Sequence, residues 1–169
     1  MDSKRVGLLF SIILLLTCIF YMAATYEILP DRIAVQFDLN NNPTRWQDKS
    51  SFVILYLGIL LGLNILLLGA LPNFLSKIPD SVINVPWRTY WFSNPQRRLR
   101  ALARMQTVPA FTGVFVNFVY LFVFHIVYQE NKPDPFLHIP ADIGVYFILL
   151  LSVVFVVGIF LYMKPPKEM

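Results

Sequence analysis

Four carboxylates, Glu27, Asp31, Asp38 and Asp48, fall within one short polar stretch of the chain. Hard cations such as calcium take several oxygen ligands from groups of this kind. The spacing follows no calcium-loop pattern, however, and Arg32, Arg45 and Lys49 stand among the acids as pairing partners. The stretch therefore reads first as paired and solvated, with a cation or ligand site as the alternative. Of the two histidines, His138 has Glu130 and Asp134 near it in sequence, which is the only faint metal set. His125 has no second histidine in reach and reads as a hydrogen-bonded anchor; a contact with Asp31 or Asp38 would make it a pH-sensitive latch. Cys18 is the single cysteine, so no internal disulfide can form and no zinc spacing exists. No nucleophile–base pair, phosphate loop or dinucleotide fingerprint is present. The expectation is a protein without catalytic residues, metal or cofactor.

Two further polar side chains, Asn64 and Asn117, lie inside long apolar runs. At a rise of about 1.5 Å per residue, Asn64 sits roughly 20 Å from one end of its run and Asn117 roughly 15 Å from the opposite end of its own. Both fall near the same depth, and a hydrogen bond between helices, worth about 1 kcal/mol, is the expectation. Gly58 and Gly62 form the small-residue spacing that lets helices approach, with Gly69 on the same stripe. Gly58, Gly62, Asn64, Asn117 and His125 are thus candidate packing residues.

The elements that carry these groups follow from composition. Hydrophobic residues make up 57% of the chain and charged residues only 14%, and the mean hydropathy is +0.61. A soluble domain is about a quarter charged, so the polar coat that water requires is missing. Four runs, 6–25, 52–71, 108–128 and 143–163, reach the roughly 20 residues that span a bilayer core, and none contains Asp, Glu, Lys or Arg. Pro72 is expected to close the second, Thr107 and Pro109 to open the third, and Asp142 to cap the fourth. The first run reads as a retained anchor. The connections are then 26–51, 72–107 and 129–142, all within one membrane domain, 1–169. One side carries ten Lys and Arg with three acids; the other carries four with seven. Positive charge marks the cytoplasmic side, so both termini and 72–107 are expected there. With the basic residues beside apolar runs, the partner they imply is anionic lipid headgroups at the inner face, and nucleic acid is not expected.

The first outer connection alternates Ile33, Val35 and Phe37 with Ala34, Gln36 and Asp38, the period of a half-buried strand. Asn40, Asn41, Asn42 and Pro43 form a turn cluster, so a short hairpin over the helix ends is expected. Leu29-Pro30-Asp31-Arg32-Ile33, the pair Phe37-Asp38, and Trp46 and Lys49 ahead of an apolar helix resemble a bacterial membrane family, the domain of unknown function sixteen forty-eight. It is also found at the front of SdpI-type immunity proteins. The resemblance extends into the inner connection at Asn84, Pro86, Tyr90 and Trp91. Two departures are Gln36, where the family usually has His, and a turn without Gly. Gln36 does not titrate near neutrality and is a poor metal ligand, so a role of that His does not transfer. What the resemblance implies is an immunity- or sensor-type role, with Pro30, Asp31, Arg32, Phe37, Asp38, Trp46 and Lys49 as outer recognition residues.

In the inner connection, Ser93-Asn94-Pro95 reads as a cap and first-turn proline opening a helix to about Met105. Arg97, Arg100 and Arg104 recur on one face, opposite Leu99, Leu102 and Ala103, and Trp87, Tyr90 and Trp91 precede them. An amphipathic basic helix at the lipid interface is expected, with Pro86, Tyr90, Trp91, Arg97, Arg100 and Arg104 facing lipid or a protein partner. The fold expected is an all-α membrane protein: a four-transmembrane-helix bundle with a short β-like outer loop and this basic inner helix. The function expected is non-enzymatic recognition by a multi-pass protein of the bacterial inner membrane. The alternatives are an accessory subunit of a larger membrane complex and a small transporter.

Overall fold

The computed structural model describes residues 2–38, 40, 42–75, 77–132 and 139–166, with Ala141 described by its backbone alone. Helix α1 (Ser3–Thr25) begins where the Asp2 carboxylate accepts from the Lys4 amide. Strands β1 (Arg32–Phe37) and β2 (Pro43–Asp48) pair antiparallel as a two-stranded sheet. Asp48 then caps α2 (Lys49–Asn64) by accepting from the Ser51 amide at 2.9 Å, satisfying one of the free donors of the first turn. A π-helical stretch, Ile65–Ala70, leads into α3 (Leu71–Leu75). The helix therefore does not stop at Pro72: the widened turn just before it takes up the ring and the missing donor.

After a 3₁₀ turn at Asp80–Val82 and the single turn α4 (Arg88–Trp91), α5 runs unbroken over 36 residues, Pro95–Glu130. The basic helix opening at Pro95 and the third apolar run are thus one rod, with Pro109 inside it and Thr107 donating to the Ala103 carbonyl at 3.0 Å. The helix start is at Asn94, whose side chain accepts from the Arg97 amide. Pro109 removes one hydrogen bond from a ladder long enough to survive it. Helix α6 (Ala141–Tyr162) is the last of the helices described. Four helical stretches, Ser3–Thr25, Lys49–Leu75, Pro95–Glu130 and Asp142–Tyr162, are long and apolar enough to cross a membrane, as in a multi-pass membrane protein.

Helix α5 is the hub on which the others pack. Its closest neighbour is α1, which buries Gly7, Ser11, Cys18 and Met22 along one seam. A Cβ on Gly7 would stand 3.1 Å from Cβ of Ala110, and one on Gly113 would stand 2.5 Å from Oγ of Ser11. In lipid, where apolar burial does not drive helices together, such close backbone approach and interhelical hydrogen bonds supply the association. Helix α6 is held loosely: 6% of its most apolar window is buried, against 33% for α5. Among the described residues the expected glycine contact is not made, since Gly58 and Gly62 are exposed, with nothing within 4 Å of a Cβ at either.

Two compact clusters close the ends of this arrangement. Met22, Leu29, Ile33, Phe52 and Phe124 gather under the hairpin. Ile83, Val85, Trp91, Ala101 and Met163 gather at the end that carries the arginines. Strict alternation of burial does not hold along β1: Ile33 and Ala34, in regular register and on opposite faces, are both fully buried, and a bulge follows between Ala34 and Gln36.

Candidate functional site

At the hairpin end, the sheet is fastened by groups from three elements. The Asn131 side chain, just past α5, accepts from the Ala34 amide at 2.8 Å and donates to the Ala34 carbonyl at 2.9 Å. Lys49 donates its ammonium to the Leu29 carbonyl at 2.9 Å, lies 4.7 Å from the centre of the Tyr26 ring, and is 3.8 Å from the Asp31 carboxylate. The loop between the strands is tied by Asp38, whose carboxylate accepts from the amides of Asn40 and Asn42, each at 2.8 Å. The Asn42 amide, first, holds the Asp38 carboxyl below the usual carboxylate range, and the Ser51 amide does the same for Asp48.

The four acids are therefore not gathered. Asp38 closes a turn, Asp48 caps a helix, and Asp31 lies fully exposed beside a mostly covered Lys49. Among the described residues, no group of three His, Cys, Asp or Glu side chains could share a metal ion. Asp134 and His138, which made the faint metal set with Glu130, lie outside the described residues. What the hairpin leaves outward is Asp31, Arg32, Arg45 and Trp46, the last 51% exposed; Pro30 is exposed and Phe37 half-buried.

Midway along the helices, Asn64 and Asn117 exchange hydrogen bonds of 2.7 and 3.0 Å, as their depths suggested. The Asn117 amide also donates to the carbonyl of Ser11 at 2.8 Å and lies 3.1 Å from its hydroxyl. Three helices thus meet at one buried polar knot, α1 through Ser11, α2 through Asn64 and α5 through Asn117. Every side-chain amide in it has a partner, which is what a low-dielectric setting demands.

His125 does not reach Asp31 or Asp38 through any hydrogen bond. Its Nδ1 lies 2.8 Å from the Tyr21 hydroxyl, and its buried Nε2 has no hydrogen-bond partner among the described residues. Tyr56 donates to the Tyr120 carbonyl nearby, which ties α2 to α5 under the hairpin.

At the opposite end, the arginines differ in role. Arg104 donates to the carbonyls of Tyr162 and Lys164, both at 2.8 Å, and lies over the rings of Trp91 and Tyr162. Trp91, 1% exposed, donates its indole N–H to the Met163 carbonyl at 2.9 Å. These two side chains supply the donors that the last turn of α6 lacks. Arg98 grips the Asp80 carboxylate with two bonds of 2.6 and 2.8 Å, and that pairing, chiefly the hydrogen bonds, holds the Asp80 carboxyl below its usual range. Arg97 lies 4.2 Å from the Tyr90 ring centre. Arg100 faces outward, but so does Leu99, at 63% exposure, while Ala101 is buried. The basic and apolar faces drawn from spacing are therefore rotated: Arg104 turns inward onto α6, and Leu99 outward. Trp87 adopts φ 55°, an uncommon value for a bulky side chain, and its ring lies 4.5 Å from that of Phe160. Pro86 lines an apolar hollow of about 270 Å³ between this loop, α3, α5 and the end of α6.

Sequence reasoning missed the residues that fasten the hairpin and the segment after α5. Besides Asn131, the buried Gln129 accepts from the Ile139 amide at 2.8 Å and donates to its carbonyl. Both are amides at the end of an apolar run, and each satisfies one residue's backbone on both sides. Their position beside the helix end was the available signal.

Residues 12–62 match the family described as "Domain of unknown function (DUF1648)". The match covers the C-terminal half of α1, the whole hairpin and most of α2. No curated protein and no solved structure matches the chain.

Proposed function

We propose that this chain is a non-enzymatic, multi-pass protein of the bacterial inner membrane whose outer hairpin recognises a partner. One observation carries the reading. The hairpin is held by Asn131, Lys49 and its own Asp38 turn, while Asp31 and Arg32 at the entry to β1 stay exposed. A platform ordered in advance loses little entropy when it binds, and its outward charges set orientation and specificity. Both termini and 72–107 lie in the cytoplasm on this reading, because Lys and Arg collect there. The four helices then form a bundle centred on α5, and Arg100 at its start faces the inner headgroups. An immunity- or sensor-type role fits the family resemblance.

The test replaces Asp31 and Arg32 with alanine together. Membrane abundance should stay unchanged, because the 3.8 Å pair of Lys49 with the fully exposed Asp31 adds little to the hold of Asn131 and Lys49 on the backbone, while partner recognition should be lost. Unchanged recognition would contradict the reading.

A second reading, an accessory subunit of a membrane complex, is favoured by α6, whose surface is almost entirely uncovered by the rest of the chain. Mild detergent extraction should then recover a partner in fixed stoichiometry. A transporter is less well supported, because the polar knot at Asn64 and Asn117 satisfies its own amides.

A further inference from the structure

The two edges of the hairpin are not alike. In an antiparallel ladder, facing residues alternate between pairs that bond to each other and pairs whose amides and carbonyls point away from each other. Ala34 faces Trp46 in the register, and both backbone groups of Ala34 are taken by Asn131 on the far side. Ala34 and Trp46 are therefore a pair of the second kind. The Lys49 amide bonding to the Asp31 carbonyl, three positions along, agrees with the same alternation. It follows that the Trp46 N–H and C=O point outward from β2. Asn131 closes the β1 edge against α5, while the β2 edge has no comparable backbone bond among the described residues. The strand is exposed at five of its six positions.

We propose that the β2 edge pairs with β2 of a second copy of this chain, in antiparallel register centred on Trp46. The inference names the partner of that one edge and rests on the hairpin reading only in placing the edge outside the membrane. The edge is complementary to itself. A two-fold axis beside Trp46 sets its N–H against the C=O of the second Trp46 and the reverse, giving two reciprocal bonds. The two indoles lie on one face as a cross-strand aromatic pair. Arg45 comes opposite Gln47, so no like charges face one another. Pro43, which could not donate, lies at the strand end, away from the centre. One strand edge is small against the roughly 800 Å² per partner of a stable interface. Two copies held in one bilayer meet at a high effective concentration, so a small edge can pair where it would not between molecules free in solution.

The test mixes chains carrying Arg45→Cys with chains carrying Gln47→Cys in vesicles of phosphatidylethanolamine and phosphatidylglycerol, both in a Cys18→Ala background, under mild oxidation. The mixed 45–47 disulfide should exceed either self-disulfide about tenfold, since only that pair comes within disulfide range. Trp46→Pro, which removes the outward donor while leaving the bonds to β1, should lose the mixed species. Should Trp46→Pro fail to fold, the cysteine pair in otherwise unchanged chains still decides. Dominant 45–45 self-disulfides, or no mixed species above a Glu27→Cys control, would overturn the pairing. Mixed disulfides that persist after Asp31 and Arg32 are replaced would show the pairing to stand apart from recognition of another partner.

Discussion

The Asn131 carboxamide holds the Ala34 backbone in both directions, accepting from its amide at 2.8 Å and donating to its carbonyl at 2.9 Å. The two residues are 97 apart in sequence. One side chain at the end of α5 thus stands in for a third strand and joins the hairpin to the hub helix. Asn131→Ala should leave both Ala34 groups unpaired at a buried site, costing about 1–3 kcal/mol. Hydrogen exchange at Ile33 and Ala34 should accelerate while the helices keep their protection. Unchanged exchange would show that the clamp does not hold the sheet.

The knot of Asn64, Asn117 and Ser11 predicts non-additivity. Asn64→Leu or Asn117→Leu alone strands the other amide and should destabilise the fold by about 1 kcal/mol. The double change removes both and should cost less than the sum of the single changes, giving a coupling of about 0.5 kcal/mol or more in a double-mutant cycle of reversible unfolding in detergent. Strict additivity would deny the reciprocal bonds.

Two glycine substitutions should differ in the size of their effect. Gly113→Ala places its methyl carbon 2.5 Å from Ser11 Oγ and 3.0 Å from Leu68, and should cost about 1–3 kcal/mol by forcing α1 and α5 apart. Gly58→Ala meets nothing within 4 Å and should leave the unfolding of the isolated chain within about 0.5 kcal/mol of its original value. Equal effects would contradict the packing on α5.

Acidification should loosen the loop ahead of α4. Asp80 in its pairing with Arg98 titrates below the ordinary value of 3.8, so the stabilisation is present above that value and is lost as pH falls through the lower folded value. Trp87 and Trp91 fluorescence, followed from pH 5 downward, should report a transition that Asp80→Asn removes. A transition of the same midpoint in Asp80→Asn would assign it elsewhere.

Much of this architecture is legible in the residues, and the gaps have physical causes. Four uncharged apolar runs define the membrane helices, and rise per residue places Asn64 beside Asn117. The hairpin follows from alternation and the Asn cluster. Spacing, however, has no direction: Gly58 and Gly62 fit a packing motif but face outward, whereas Gly7, Ser11 and Gly113 make the seam from separate helices. Pro109 and Thr107 resemble a helix start, but Asn94 and Pro95 provide one already and the ladder runs through. Arg104 shares a face with Arg97 and Arg100, yet the carbonyls at the end of α6 bring it inward. Asn131 and Gln129 act on backbone atoms, so only their place at the end of an apolar run marks them.

The central claim, that the hairpin at Asp31 and Arg32 is the recognition surface, is tested most directly by photo-crosslinking in the living membrane. A photoreactive residue is placed at position 28, exposed just ahead of Asp31, in one chain and at position 100 in another. The account predicts a discrete protein adduct from position 28 that Asp31→Ala with Arg32→Ala abolishes at unchanged abundance, and only lipid adducts from position 100. A discrete protein adduct from position 100 with none from position 28 would contradict it.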